Sequence, residues 1–209
     1  MYFLRWVLKD DLTIWTSQLT GANVVRSCYQ QLYHIGRIRC YIDENTASIL
    51  ARSLILSKLD FCNSLLIGLP DTLVKKLQRV QNNAARLVFR KKKCENVTPL
   101  LIKLHWLPVK QRIIYKLNVL THKALNKLAP VYLQDLIIQY APSRSLRSSS
   151  QFLLQEPGSK LKSYGDRAYS VCGPRLWNKL PRSLREPQSI EMFKSFLKTH
   201  LFKEAYNPW

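Results

Sequence analysis

Eight cations stand where a helix would gather them into two rows: Lys75, Arg79, Arg86 and Arg90, then Arg112, Lys116, Lys123 and Lys127. Both rows step by 4, 7 and 4 residues, so at about 100° per residue each set spans only about 60° of arc. Cations gathered on one face with almost no acid among them repel one another unless a polyanion lies across them. The contacts they can make are to phosphate oxygens, which position a backbone and carry little base specificity. The competing reading is the solvated side of an amphipathic helix, and the charge balance shifts the odds toward phosphate contact. The chain has 33 Lys and Arg against 13 Asp and Glu, a net charge of +20. Residues 70–140 alone hold 14 basic and 3 acidic groups, or +11. Such an excess calls for RNA or DNA, where each neutralised phosphate releases counterions, ahead of an anionic membrane surface.

Groups that make or break bonds are not assembled by the sequence. Two-metal polymerase chemistry needs a carboxylate pair behind an aromatic residue and a partner Asp. Asp10-Asp11 lacks the aromatic, and too little chain precedes it to supply the partner. Cys28 and His34 lie six residues apart, about 240° around a helix, and a turn separates Cys94 from His105. No H-E-x-x-H, C-x-x-C or Gly-rich phosphate loop is present. The expectation is therefore no catalytic residue, no metal ligand, no cofactor and no small-molecule substrate. His105 reads as a packed or capping residue. Trp106 and Trp177, each beside a leucine and ahead of a proline, read as hydrophobic anchors rather than base-stacking platforms. The five cysteines are widely spaced and read as reduced, mostly buried thiols. The opening MYFLRWVLKDD is too short and too charged for a signal peptide or membrane span. The expected location is intracellular, nucleus or cytoplasm, with Lys91–Lys93 a weak import signal.

The elements that must carry these residues are mainly helical. Residues 1–20 read as a lead-in strand or irregular segment. Val24, Val25, Cys28, Leu32, Ile35 and Ile38 recur at helical spacing within 23–41. A second helix, from Asp43 to about Ile67, is apolar nearly all round and reads as a buried central helix. A third runs from Asp71 to about Lys92, with Leu73, Leu77, Val80, Ala84, Leu87 and Val88 opposite the first row of cations. Thr98-Pro99 opens a short helix through Leu104. Pro108 opens a longer one with Val109, Ile113, Leu117, Leu120 and Ala124 as its apolar stripe. Tyr140–Ser150 reads as a Pro/Ser-rich connection whose Ser143, Arg144, Ser145, Arg147 and Ser148 serve either as phosphate ligands or as a linker. A short strand at Phe152–Gln155, a turn-rich stretch with one helical piece at Tyr164–Leu180, and a last helix from Ser189 complete the chain. The expected architecture is a helical bundle over 21–140 followed by a smaller α+β or irregular tail over 141–209.

Eight blocks in fixed order carry a resemblance: SKLDFCNSLLIGLP, KLQRVQNNAARLV, LHWLPVKQRIIYKL, KALNKLAPVYLQDL, PSRSLRSS, YGDRAYS, PRLWNKLP and FKSFLKTHLF. They resemble the region downstream of the palm in the reverse transcriptases of jockey-like and chicken-repeat-like LINE elements, the non-LTR retrotransposons. The likeness runs strongly from Ser57 onward and weakly over Val24–Tyr41. It implies a thumb-like first half that cradles a template and product duplex, an element-specific tail, and an active site on a palm outside the matching region. The partners it implies are RNA or DNA and that palm. Four positions depart from the pattern: Asn83, Cys172 and Gly173 replace alanines, and Lys127 replaces a glycine expected to stop its helix. The alternative is a decayed element fragment acting as a helical protein-interaction module.

Overall fold

The computed structural model describes residues 22–141, 151–158, 165–186 and 188–207. The lead-in of residues 1–20 with Asp10-Asp11, and Ser143 to Ser148, lie outside the described residues. The chain is mainly helical. It forms two compact units that divide between Lys110 and Gln111, not at the Tyr140–Ser150 connection. The reason is local. Gln139 and Leu154 form an antiparallel bridge, with Tyr140 N–H donating to Leu153 O at 3.0 Å and Gln155 N–H to Ile138 O at 2.9 Å. The segments on either side of the connection are thereby tied together.

In the first unit α1 (Ala22–Ile38) buries Cys28, Leu32 and Ile35, a row at i, i+4 and i+7. The next helix is not the continuous buried rod expected. It runs as α2 (Glu44–Ala51), a π-helical turn (Arg52–Leu56) and α3 (Ser57–Asp60). The Asp43 side chain starts it, accepting from Thr46 N–H at 3.1 Å, and hydrogen bonding from the Thr46 side chain, with that backbone bond second, holds the carboxyl below the usual range. Ser53 Oγ donates back to Ile49 O at 3.0 Å and Ser57 Oγ to Ser53 O. Such i−4 bonding competes with the helical ladder at the place where it widens. The extra residue lets Ala47 and Ala51 be followed inward by Ile55, Leu56 and Leu59, while Ile49 and Leu54 face solvent.

Against α1 packs α4 (Asp71–Val88), whose inward side holds Leu77, Val80, Ala84, Ala85 and Val88. Leu77, Val80 and Val88 each contribute roughly 1.5–3 kcal/mol by this burial, and the two alanines less. Two glutamines of α4 bracket Pro108. Buried Gln81 donates from Nε2 to Leu107 O at 2.8 Å, and Gln78 Oε1 accepts Val109 N–H at 2.9 Å. This holds Trp106 and Leu107, both buried, between α5 (Thr98–Lys103) and α6 (Val109–Leu125). The N-cap position of α5 falls on Val97, which offers no side-chain cap; just ahead of the helix Asn96 Oδ1 accepts Thr98 N–H at 3.0 Å.

In the second unit α6 buries Ile113, Leu117 and Ala124 as expected, and also Asn118, Thr121 and His122. After the single turn α7 (Val131–Gln134) come α8 (Tyr169–Asn178), α9 (Arg182–Arg185) and α10 (Ile190–Tyr206). Ser189 caps α10, accepting Met192 N–H at 3.3 Å, and Phe193, Leu197 and Leu201 form its buried row. Phe193 stacks on His122 at 4.3 Å and meets Trp177 at 5.6 Å. Burial pushes the His122 imidazole below its ordinary range. The strand expected at Phe152–Gln155 is reduced to one bridge, because the Asn178 amide takes the second neighbour's place. Its Oδ1 accepts Leu154 N–H and its Nδ2 donates to Leu154 O, both at 2.9 Å.

Candidate nucleic-acid interface

Three helices end in the same backbone device, and it decides where the cations go. Arg90, His105 and Lys127 take left-handed φ of 51°, 53° and 57°. Lys91 N–H returns to Arg86 O at 2.9 Å, Trp106 N–H to Leu101 O at 2.9 Å and Leu128 N–H to Lys123 O at 2.8 Å. These are Schellman ends, a position where glycine is usual. α4 therefore stops at Val88 rather than near Lys92, which takes Arg90 off the row of Lys75, Arg79 and Arg86. His105 ends its helix through its backbone. Lys127, a departure expected to remove a helix stop, stops the helix all the same. The left-handed region costs an L-residue roughly 1–2 kcal/mol, so Lys127→Gly is expected to raise the second unit's stability by about 1 kcal/mol in urea denaturation. An unchanged midpoint would show that the Lys127 side chain compensates.

The first row divides into two pairs. Lys75 and Arg79 are exposed, have no acidic partner among the described residues, and stand beside exposed Lys76. Arg86 is half-buried and donates from Nη2 to Glu95 O at 3.2 Å. Arg90 donates from Nη2 to Arg39 O at 2.7 Å, at the end of α1. The exchange is reciprocal: Arg39 donates from Nε to Leu87 O at 3.1 Å and from Nη2 to Val88 O at 2.6 Å, closing the end of α4. A third bond runs from Arg39 Nη1 to Ile42 O at 2.7 Å. Arg86 and Arg90 thus serve the fold, and Arg39 is the structural cation that sequence reasoning missed. Beyond Arg90, Glu95 accepts Lys92 N–H at 2.9 Å and pairs with Lys91 at 3.0 Å. These contacts hold its carboxyl below the usual range.

The second row keeps its helical register through Lys123. Lys116 and Lys127 are exposed and Lys123 half-buried. Arg112 sits near Tyr206, where its charge partly offsets the burial that pushes the phenol up to about 12. Arg185, not singled out from sequence, is buried, and burial together with the charge of Arg182 lowers its pKa.

Of the groups considered for bond chemistry, Cys28 is buried and its thiol raised by that burial. His34 is exposed on the other side of α1, edge-on to Tyr33 at 5.8 Å. Cys172 is buried with its thiol pushed up to about 11, while Cys40, Cys62 and Cys94 are exposed. Trp106 and Trp177 are core residues, 3% and 2% exposed. Among the described residues no three of His, Cys, Asp and Glu gather as metal ligands, and no helix is long and apolar enough to cross a membrane.

Comparison with protein-family models, curated proteins and solved structures finds no match to this chain. The candidate contacts therefore rest on the geometry of each unit taken by itself: an exposed cluster of Lys75, Lys76 and Arg79 on α4 in the first, and exposed Lys116 and Lys127 along and just beyond α6 in the second.

Proposed function

We propose that the chain is a non-catalytic, sequence-tolerant RNA/DNA-binding region derived from a LINE-type reverse transcriptase, working inside the cell in the nucleus or cytoplasm. The observation that carries this reading is the exposed set Lys75, Lys76, Arg79, Lys116 and Lys127, without acidic partners among the described residues in a chain of net charge +20. The ordered sequence blocks supply the LINE origin. Such cations hold phosphates, so affinity falls with salt, the logarithmic slope changing by about 0.7–0.9 per phosphate contact.

The test is fluorescence anisotropy with a labelled RNA/DNA hybrid across a salt series. The variant Lys75→Glu/Arg79→Glu/Lys116→Glu/Lys127→Glu is run beside the native chain, with circular dichroism to establish that both are folded. Expected are a salt slope lower by about 3 and binding weaker by about 100-fold or more. Equal affinity of the two folded proteins would overturn the reading. A second reading, a helical protein-interaction module, is favoured by apolar exposure along the second unit: Leu128 at 59%, Val131 at 69% and Ile138 at 57%. It is the one left standing if neither protein binds.

A further inference from the structure

The outer face of α1 has a different composition from the cation clusters. Arg26, Tyr29, Gln30, Tyr33, His34 and Arg37 are all exposed, on the side opposite the buried row Cys28, Leu32 and Ile35. The first five line an open depression of about 590 Å3. Tyr33 is 65% exposed and Tyr29 42%. No acidic residue occurs between Ala22 and Ile42. The Tyr29 ring is anchored from α4, where Asn83 Nδ2 donates to its hydroxyl at 3.2 Å.

We infer that this face is a stacking platform for the unpaired bases of a single-stranded nucleic acid, which passes across α1 with its phosphates toward Arg26 and Arg37. Large aromatic faces left in water at such exposure carry an unmet burial of apolar surface. The flanking charge selects a polyanion over an apolar peptide as the molecule that covers them. Nucleobases are the polyanion component that stacks on tyrosine, and any base serves because each has a π face. Residues four apart on a helix rise by about 6 Å, close to twice the roughly 3.4 Å spacing of stacked nucleotides. The two tyrosines are thus spaced along the helix on the scale of neighbouring bases of one strand. The Gln30 amide, one residue from Tyr29, is a donor and acceptor for a base edge.

This inference rests on the nucleic-acid reading above, and the experiment separates the two. The full-length chain is titrated with a labelled oligothymidylate and with an abasic strand carrying the same number of phosphates. The phosphate term is common to both strands; stacking belongs to the first alone. The expected result is tighter binding to oligothymidylate by at least about 5-fold. That preference should vanish in Tyr29→Ala/Tyr33→Ala with abasic affinity unchanged, and persist in Tyr33→Phe, which keeps the ring. Equal binding of the two strands by the native chain overturns the platform and leaves the phosphate reading intact. A preference that survives in the double variant also overturns it. Binding to neither strand nor to the hybrid overturns both. A face that instead joins two copies of the chain would show as a dimer by light scattering that the double variant dissociates without changing the strand preference, and this too overturns the platform.

Discussion

Trp177→Ala is expected to lower the stability of the second unit by about 3–5 kcal/mol. The indole is 2% exposed, sits 5.6 Å from Phe193 and 6.3 Å from His122, and donates from Nε1 to Phe152 O at 3.0 Å. Truncation removes a large apolar surface from the core, opens a void beside Phe193, and leaves the Phe152 carbonyl without its donor. Trp177→Phe keeps most of the volume and loses the N–H, so its effect should be clearly smaller. Urea unfolding followed by far-UV circular dichroism measures both. Because two compact units are present, the transition must be resolved into its components before a free energy is assigned. A loss below about 1 kcal/mol for alanine would mean that the aromatic cluster can close over the gap.

The second large effect is expected at Arg39. Its guanidinium donates to Leu87 O and Val88 O, at the end of α4 where the helical ladder leaves carbonyls over, and to Ile42 O in the loop ahead of α2. Arg39→Met retains the aliphatic stem and removes the donors. A loss of about 1.5–3 kcal/mol from the first unit is expected, the range for hydrogen bonds to a charged group. Arg39→Lys should rescue little, since a point charge cannot reproduce a planar fork with five donors. Because Arg90 reaches back to Arg39 O, the two arginines should be coupled: Arg39→Met/Arg90→Met should cost less than the sum of the single changes. Strict additivity would show that the two ends are closed independently.

Helical periodicity made much of this architecture legible. The rows Cys28–Leu32–Ile35, Leu77–Val80–Ala84 and Phe193–Leu197–Leu201 follow from 3.6-residue spacing alone, and all are buried. The anchor reading of Trp106 and Trp177 follows from their leucine neighbours. What spacing cannot supply is where a helix stops when the stopping residue is Arg90, His105 or Lys127 rather than glycine, since the signal is a φ and not a residue type. It also cannot show which cations are committed to the fold. Arg86 and Arg90 share their spacing with Lys75 and Arg79, and only the positions of Glu95 O and Arg39 O, brought near by tertiary packing, tell the pairs apart. The interruption at Arg52–Leu56 was equally hidden, because Ser53 and Ser57 are unremarkable in a helical pattern until their hydroxyls turn back onto the backbone.

The distribution of thiols has an experimental use. Cys28 lies in the buried row of the first unit and Cys172 in the core of the second, both with raised pKa values, whereas Cys40, Cys62 and Cys94 are exposed. Alkylation proceeds through the thiolate, so a pulse of reagent should mark the three outer sulfurs first. The two inner ones then react only as fast as their own unit opens. Peptide mass spectrometry of Cys28 and Cys172 would thus run as two separate clocks in one untagged molecule, timing the breathing of each half independently.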